Sequence, residues 1–251
     1  LLLLQGFGAS AIWQFHPQVR ALAKKHRLII PDLLYFGGST SPHGERSVAY
    51  QAETMFQLVD ALGVSQFDVM ALSYGGFVAL WMVSLDADRV GRMVISNSPG
   101  IGMTESDYQE LLDSFSVRHP RDVFLPNEPI GVRALMAIAW HRPPPVPGFA
   151  LRDAFRNLYQ DQMVEKQDLL DELVGHLGHS AHNPVKYEDV RGPVFIVWGE
   201  HDRVFPIHLA HRLKRDMGVK ARLEILKRTA HAPNLERPRL YNRMVLRFLA
   251  E

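Results

Sequence analysis

The chain has 251 residues, of which 28 are basic and 27 acidic, so its formal net charge is only +1. This near balance, without a run of lysines or arginines, predicts neither a nucleic-acid surface nor an anionic-membrane surface and favours a small-molecule partner. The absence of cysteine excludes disulfides, a thiolate nucleophile and a cysteine-ligated zinc site, and it fits a cytoplasmic protein.

The apolar run that opens the chain, residues 1–4, is too short for a secretory signal and lacks the basic flank and cleavage site of one. Nowhere does an uncharged apolar run approach the roughly 20 residues that cross a bilayer, so we expect no transmembrane segment and a cytoplasmic location. The run predicts instead a strand buried on both faces. Because the chain begins inside this strand without an initiator Met, we expect native strands upstream of residue 1 to be missing.

Strand-like and helix-like segments then alternate along the chain. We predict strands at residues 1–4, 26–32, 67–72, 92–96, 193–198 and 221–226, and helices at residues 48–62, 75–85, 207–217 and 241–249. The first of these helices begins after Ser47, a good N-cap residue, and ends at Gly63. Alternating strands and helices predict a mostly parallel sheet covered by helices on both faces.

The alternation stops between residues 101 and 189, where the apolar periodicity is helical and no convincing strand occurs. The helical segments cover residues 105–115, 132–140, 151–159 and 169–177, with a proline cluster at residues 143–148. We therefore predict an α/β core formed by residues 1–100 and 190–251. Residues 101–189 would be inserted into it as a helical cap, or lid.

A serine stands at the junction of a predicted strand and a predicted helix, in the segment Ala71-Leu72-Ser73-Tyr74-Gly75. Small residues two positions before and after Ser73 allow the strand and the helix to approach closely, as a sharp turn requires. This context predicts a nucleophilic serine, with Gly75 supporting the turn. Taken alone, the pattern also fits a serine that only caps a helix.

Two later loops supply the partners that a nucleophilic serine needs. Asp202 follows the predicted strand at residues 193–198, and His231 follows the one at residues 221–226. Because the carboxyl ends of parallel strands share one edge of a sheet, Ser73, Asp202 and His231 are expected to converge there. The order Ser, Asp, His along the chain is that of the α/β-hydrolase arrangement.

Over essentially its whole length the chain resembles the α/β-hydrolase superfamily, in its serine esterase and lipase branch, and especially the hydrolases labelled monoacylglycerol-lipase-like. The resemblance rests on the segments PDLLYFGGS (31–39), LSYGGFVA (72–79) and WGEHD (198–202), extended by residues 205–214 and 231–238. It implies the same catalytic triad. The family usually has His-Gly before the oxyanion residue and Gly at the first elbow position, whereas this chain has Gln5-Gly6 and Ala71.

The loop at residues 6–8, directly after the first strand, is expected to face the nucleophile. The backbone N–H groups of Phe7 and Tyr74 would then form an oxyanion hole, where fixed donors stabilise the charge that develops in the transition state. Gly6 would let the backbone of this loop approach Ser73 closely. Gln5, which stands where relatives have histidine, would brace the loop through hydrogen bonds, since its amide both donates and accepts.

The reaction follows from these roles. His231 would remove the proton of Ser73 as the serine attacks an ester carbonyl, and Asp202 would orient the imidazole and stabilise its protonated form. Water would then hydrolyse the acyl-enzyme. A serine nucleophile argues against an epoxide hydrolase or a dehalogenase, because those relatives use aspartate at this position.

We predict neither a metal nor an organic cofactor. His176, His179 and His182 recur every three residues and could suggest a metal site. Glycines and a proline interrupt any helix there, however, and no carboxylate stands in register, so we interpret the three histidines as part of a polar cap loop.

Apolar residues of the cap are candidates for the substrate pocket, namely Leu135, Met136, Trp140 and Phe155, although apolar helical stripes often serve only for packing. The expected activity is hydrolysis of carboxylic esters with small to medium acyl chains. Two alternatives stay open. One is carbon–carbon bond hydrolysis of ring-cleavage dienoates, which an arginine facing Ser73 would favour. The other is a hydrolase-fold receptor for a small molecule, with little turnover.

Overall fold

The computed structural model describes residues 1–176 and 185–251 and contains, within them, one sheet of five parallel strands in the order β1-β2-β3-β4-β5. The strands are Leu2–Leu4 (β1), Phe67–Leu72 (β2), Val90–Ser96 (β3), Val194–Gly199 (β4) and Ala221–Leu226 (β5). In the register of the sheet, Leu4 pairs with Ala71, Ala71 with Ile95, and Ile95 with Ile196. The predicted parallel sheet is confirmed.

The helices follow one another along the chain with these bounds: Ala11–Leu22 (α1), Val48–Ala61 (α2), Tyr74–Leu85 (α3), Glu105–Phe115 (α4), Arg121–Phe124 (α5), Pro129–Ala139 (α6), Gly148–Phe155 (α7), Met163–His176 (α8), Ile207–Met217 (α9), Pro233–Glu236 (α10) and Pro238–Leu249 (α11). A π-helical turn, Arg156–Gln160, lies between α7 and α8. None of the helices within residues 1–176 and 185–251 combines the length and apolar character needed to span a bilayer.

Two apolar cores lie on opposite faces of the sheet. Because successive side chains of a strand point to opposite faces, Leu2 and Leu4 pack into one core and Leu3 into the other. The first core receives the apolar faces of α2, α3 and α9, and the second those of α1 and α11. Burial on both faces explains why β1 and β4 are continuous apolar runs rather than alternating ones.

The predicted strand at residues 26–32 is wrong. Only Ile29 pairs with the sheet, through an isolated parallel bridge to Leu2. Its N–H donates to the carbonyl of Leu1 and its own carbonyl accepts from Leu3. Pro31 has no N–H to offer, so the ladder does not continue beyond this bridge.

Helix α1 does not follow from the apolar pattern. Its buried face mixes Ala11, Phe15 and Leu22 with the amides of Gln14 and Gln18, and Pro17 lies inside the helix. Polar residues on the buried face interrupt the 3.6-residue apolar period by which a helix is recognised. These two glutamines take part in the candidate site.

The described residues between β3 and β4 form helices and turns but no strand. Helix α4 coincides with its predicted range, α6 and α8 begin earlier than predicted, and the predicted helix at residues 151–159 is divided between α7 and the π turn. Residue 177, the predicted end of the last cap helix, lies outside the described residues. We propose that residues 101–189 act as a cap over the α/β core.

Candidate active site

Ser73 lies at a strained turn between β2 and α3. Its φ of 52° and ψ of −119° are rare for a residue that carries a side chain. Gly75 leaves no room for any side chain, because a Cβ there would overlap the carbonyl oxygen of Leu4. The N–H of Ser73 donates to the carbonyl of Ser96 at 2.9 Å, which ties the turn to β3. The sequence prediction of a sharp strand-to-helix turn therefore agrees with the geometry.

Asp202 and His231 meet beyond the carboxyl ends of β4 and β5. Nδ1 of His231 lies 2.9 Å from Oδ2 of Asp202 and 3.1 Å from its Oδ1. The carboxylate is completely buried, and the imidazole is 12% exposed. The backbone N–H groups of Val204 and Phe205 donate to Oδ1 at 2.8 and 3.0 Å, so the carboxylate is fixed from a second side.

A further side chain, not predicted from the sequence, holds this carboxylate. Asn97, which directly follows β3, donates from Nδ2 to Oδ2 of Asp202 at 2.5 Å and to the carbonyl of Ala230 at 3.3 Å. It is buried and has a φ of 46°, a left-handed conformation that asparagine tolerates better than most residues. Its place after a predicted strand, at the edge where Asp202 was expected, was the available signal.

Ser73 and His231 line one cavity of about 400 Å³, together with Phe7 and Tyr74. The structure thus brings the predicted nucleophile, base and oxyanion donors to one place. The loop at residues 6–8 lies against the nucleophile, since a Cβ on Gly6 would be 3.2 Å from the Cβ of Ser73. A side chain at position 6 would make a tight contact with the nucleophile, which glycine avoids.

The two predicted oxyanion donors are free to bind a ligand. The N–H of Phe7 donates to no other residue within the described part of the chain. Tyr74 is the first residue of α3, and the first N–H groups of a helix have no acceptor inside the helix. The ring of Phe7 packs edge-on against Phe36 and Tyr74, at centroid distances of 5.1 and 5.7 Å, which fixes the loop.

The structure corrects the role expected of Gln5. Its buried amide, oriented so that both atoms are paired, donates to the carbonyl of Pro31 at 3.2 Å and accepts from the N–H of Leu33 at 2.9 Å. Gln5 therefore holds the backbone of Pro31 and Leu33. The brace of the oxyanion loop comes from Gln14, whose Oε1 accepts the N–H of Gly6 at 2.7 Å.

Gln14 also belongs to a buried amide network that reaches the histidine loop. Asn234, three positions after His231, donates from Nδ2 to the backbone carbonyl of Gln14 at 2.8 Å and to Oε1 of Gln18 at 3.1 Å. Gln18 returns a hydrogen bond to the carbonyl of Asn234 at 2.9 Å. Helix α1 thus connects the oxyanion loop to the loop that carries the candidate base.

The rest of the cavity is apolar. Leu135, Met136 and Trp140, three of the predicted pocket residues, line it. Phe155 does not, and this prediction is corrected: its ring packs in the cap cluster that contains Leu151. Among the residues that the structure describes, no lysine, arginine, aspartate or glutamate lines this cavity.

The predicted polar cap loop with its three histidines, His176, His179 and His182, lies outside the described part of the chain, which leaves out residues 177–184 and the side chain of His176. A different group, Asp107, Glu110 and His208, holds its ligand atoms within 4.8 Å of one another. Both oxygens of Asp107 are already bound, by Arg212, Thr104 and His208. This cluster is therefore an ion-pair network between α4 and α9.

Burial of Asp107 acts to raise the pKa of its carboxyl group, but the hydrogen bonds from Arg212 and Thr104 outweigh burial and hold this pKa well below its usual range. The same pair raises the pKa of Arg212. Asp107 thus stays ionised at neutral pH and joins the start of the cap to the core helix α9.

Known proteins resemble the chain as follows. A 2-hydroxy-6-oxononadienedioate/2-hydroxy-6-oxononatrienedioate hydrolase of Paraburkholderia xenovorans (strain LB400) is 26% identical and aligns with 98% of this chain and 84% of its own length. Two solved structures share the fold at 21% identity and cover 99% of this chain. One is a meta-cleavage product hydrolase of Pseudomonas fluorescens IP01, with a TM-score of 0.80 over 89% of that chain. The other is a bacterial membrane phospholipase A, with a TM-score of 0.83 over 77% of that chain.

Residues 1–238 match the family model described as the alpha/beta hydrolase fold. The matched region contains every strand of the sheet and all three predicted triad positions. Because only the last helix extends beyond the match, the chain belongs to the alpha/beta hydrolase fold family and is a hydrolase.

Proposed function

We propose that the protein is a serine hydrolase that cleaves carboxylic esters with small to medium acyl chains through an acyl-enzyme on Ser73. The observation that carries this proposal is the cavity around Ser73, which His231 lines and in which apolar side chains dominate. Transfer of an uncharged acyl chain from water into such a cavity is favourable, by about 25 cal/mol per Å² of apolar surface removed from water.

The proposed mechanism uses the contacts described above. His231 takes the proton of Ser73 as the hydroxyl oxygen attacks the ester carbonyl, and Asp202 keeps the imidazole oriented through its Nδ1. The N–H groups of Phe7 and Tyr74 donate to the oxyanion of the tetrahedral intermediate. When this intermediate collapses, His231 protonates the departing alcohol. Water, activated by the same imidazole, then releases the acid from the acyl-enzyme.

A second candidate is carbon–carbon bond hydrolysis of ring-cleavage dienoates, and it is favoured by the names of the relatives. The same triad would serve it. Dienoates carry a carboxylate, however, and burying an unpaired carboxylate costs several kcal/mol or more. The absence of lysine and arginine from the described lining of the cavity gives such a carboxylate no cationic partner. We therefore place ester hydrolysis first.

Kinetic assays of the purified protein test which substrate class it prefers. The substrates are p-nitrophenyl esters from acetate to octanoate and a ring-cleavage dienoate. We expect ester hydrolysis with higher kcat/KM than for the dienoate. Ser73→Ala should remove the activity, by orders of magnitude, while circular dichroism shows an intact fold. A fluorophosphonate should label Ser73 alone. Faster turnover of the dienoate would favour the second candidate, and label on another residue would overturn the role of Ser73.

A further inference from the structure

One polar side chain of the cavity has no role in the proposed mechanism. Tyr159 lines the cavity on the cap side and is 7% exposed. Its hydroxyl forms no hydrogen bond with any other residue that the structure describes. Tyrosine hydroxyls inside proteins normally have a partner, and one that lines a cavity without a protein partner is left to bind water or a ligand. An unpaired hydroxyl in a substrate cavity therefore needs an explanation.

The hydroxyl lies against the oxyanion loop. A Cβ on Gly8, whose φ is 76°, would be only 2.7 Å from Oη of Tyr159, so a side chain at position 8 would collide with the phenol. Gly8 directly follows Phe7, a proposed oxyanion donor, and consecutive Cα atoms are about 3.8 Å apart. Tyr159 thus stands beside the position that the scissile carbonyl would occupy.

The backbone around Tyr159 is held in an uncommon conformation. The residue belongs to the π-helical turn Arg156–Gln160, and π turns inside or between α-helices occur frequently at functional sites. The buried ammonium of Lys166 donates to the carbonyls of Leu158 at 2.9 Å and Asp161 at 2.5 Å, on either side of Tyr159. These bonds fix the segment that aims the phenol into the cavity.

The phenol also keeps its proton. Burial raises the pKa of Tyr159 well above its ordinary value, so the O–H group keeps its proton and can donate at neutral pH. The side chains that surround it in the cap cluster, Leu125, Val132, Leu151 and Leu170, offer no acceptor.

We propose that Tyr159 forms a hydrogen-bonding subsite for an oxygen atom of the acyl group, one or two bonds away from the scissile carbonyl. The proposal rests on the proposed ester hydrolysis and specifies its substrate class: esters of alkoxy, hydroxy or oxo acids whose chain is otherwise apolar. A simple alkanoate leaves the hydroxyl unpaired. An acyl oxygen at the right place restores the missing hydrogen bond, and the substrate that has it is preferred.

Two esters of nearly equal shape test the subsite: p-nitrophenyl butyrate and p-nitrophenyl methoxyacetate, in which an ether oxygen replaces a methylene group. We expect Tyr159→Phe to lower kcat/KM for the methoxyacetate roughly tenfold more than for the butyrate. Comparing the wild type with the variant on both esters cancels their different intrinsic reactivities. Tyr187→Phe, which removes a buried hydroxyl that binds the carbonyl of Pro99 outside the cavity, is the matched control and should not change this ratio.

An equal loss on both esters in Tyr159→Phe would overturn the proposal, since it would show a structural role or a donor to the carbonyl itself. A binding measurement distinguishes failure of the Tyr159 subsite from failure of the proposed ester hydrolysis. Methoxyacetone and methyl propyl ketone, which are not cleaved, can be titrated by NMR. Tighter binding of methoxyacetone that is lost in Tyr159→Phe supports the subsite even if neither ester turns over, and equal binding of the two ketones by the wild type contradicts it.

Discussion

Asn97 donates a hydrogen bond to Asp202, and it uses the same carboxylate oxygen that lies nearest to the imidazole of His231. The two donors reach Oδ2 from the ends of different strands, β3 and β5. A carboxylate held in this way has little freedom to rotate away from the histidine. In the proposed mechanism Asn97 is thus a positioning residue, which acts on the base through the acid.

The first prediction concerns this contact. Asn97→Ala should lower kcat about tenfold on a p-nitrophenyl ester, because a hydrogen bond to a charged group is worth about 1.5–3 kcal/mol. KM should change little, since Asn97 does not line the cavity. Steady-state kinetics with a thermal unfolding control measures both constants. An unchanged kcat would mean that the N–H groups of Val204 and Phe205 position the carboxylate unaided.

The second prediction concerns the brace of the oxyanion loop. Gln14→Met removes the acceptor of the Gly6 N–H and should reduce kcat more than it raises KM, because the oxyanion contact strengthens in the transition state. Gln18→Met is the matched control: it removes an amide from the same network without a bond to Gly6. Both variants should lose stability, but equal kcat values in the two would show that the loop does not depend on Gln14.

The third prediction separates pocket residues from packing residues. Trp140→Ala enlarges the cavity and should raise kcat/KM for p-nitrophenyl octanoate relative to acetate, by roughly tenfold. Phe155→Ala should lower stability without this change in selectivity, because Phe155 packs inside the cap cluster. A shift in chain-length preference with Phe155→Ala, or none with Trp140→Ala, would contradict the assignment.

The fourth prediction follows from the lowered pKa of Asp107. A carboxyl group with a lower pKa in the folded state stabilises the protein at pH values above its ordinary pKa, near 4, and this contribution is lost as the pH falls toward the folded value. Asp107→Asn should therefore be less stable than the wild type at pH 7. The difference should shrink in urea unfolding at pH 3. A constant difference across this range would exclude the linkage.

Much of the fold could be predicted because the signals are local. Strands β1 and β4 are continuous apolar runs, and the loops that follow β2, β4 and β5 bring Ser73, Asp202 and His231 to the shared edge of the sheet. Helix α2 begins where an N-cap serine indicates, since Ser47 accepts the N–H of Tyr50 at 3.0 Å. Short-range chemistry of this kind is visible in one sequence.

The remainder depends on partners that are distant in sequence. Gln18 and Asn234 are 216 positions apart, and neither residue by itself indicates a buried hydrogen bond. The brace of the oxyanion loop is predicted at Gln5 and found at Gln14 for the same reason, because an amide fits any neighbour that donates or accepts. Tyr159 stands out only in the structure, where its hydroxyl lies beside Gly8 without a partner among the described residues.

The backbone of Ser73 also places activity and stability in conflict. Its dihedral angles are ones that glycine adopts at little cost and that any other residue adopts at about 1–3 kcal/mol. The folded state is therefore destabilised by this conformation at Ser73, the nucleophile of the proposed reaction. Glycine would adopt these dihedral angles at lower cost, so the strain at Ser73 is the energetic cost of the hydroxyl group that the proposed mechanism uses.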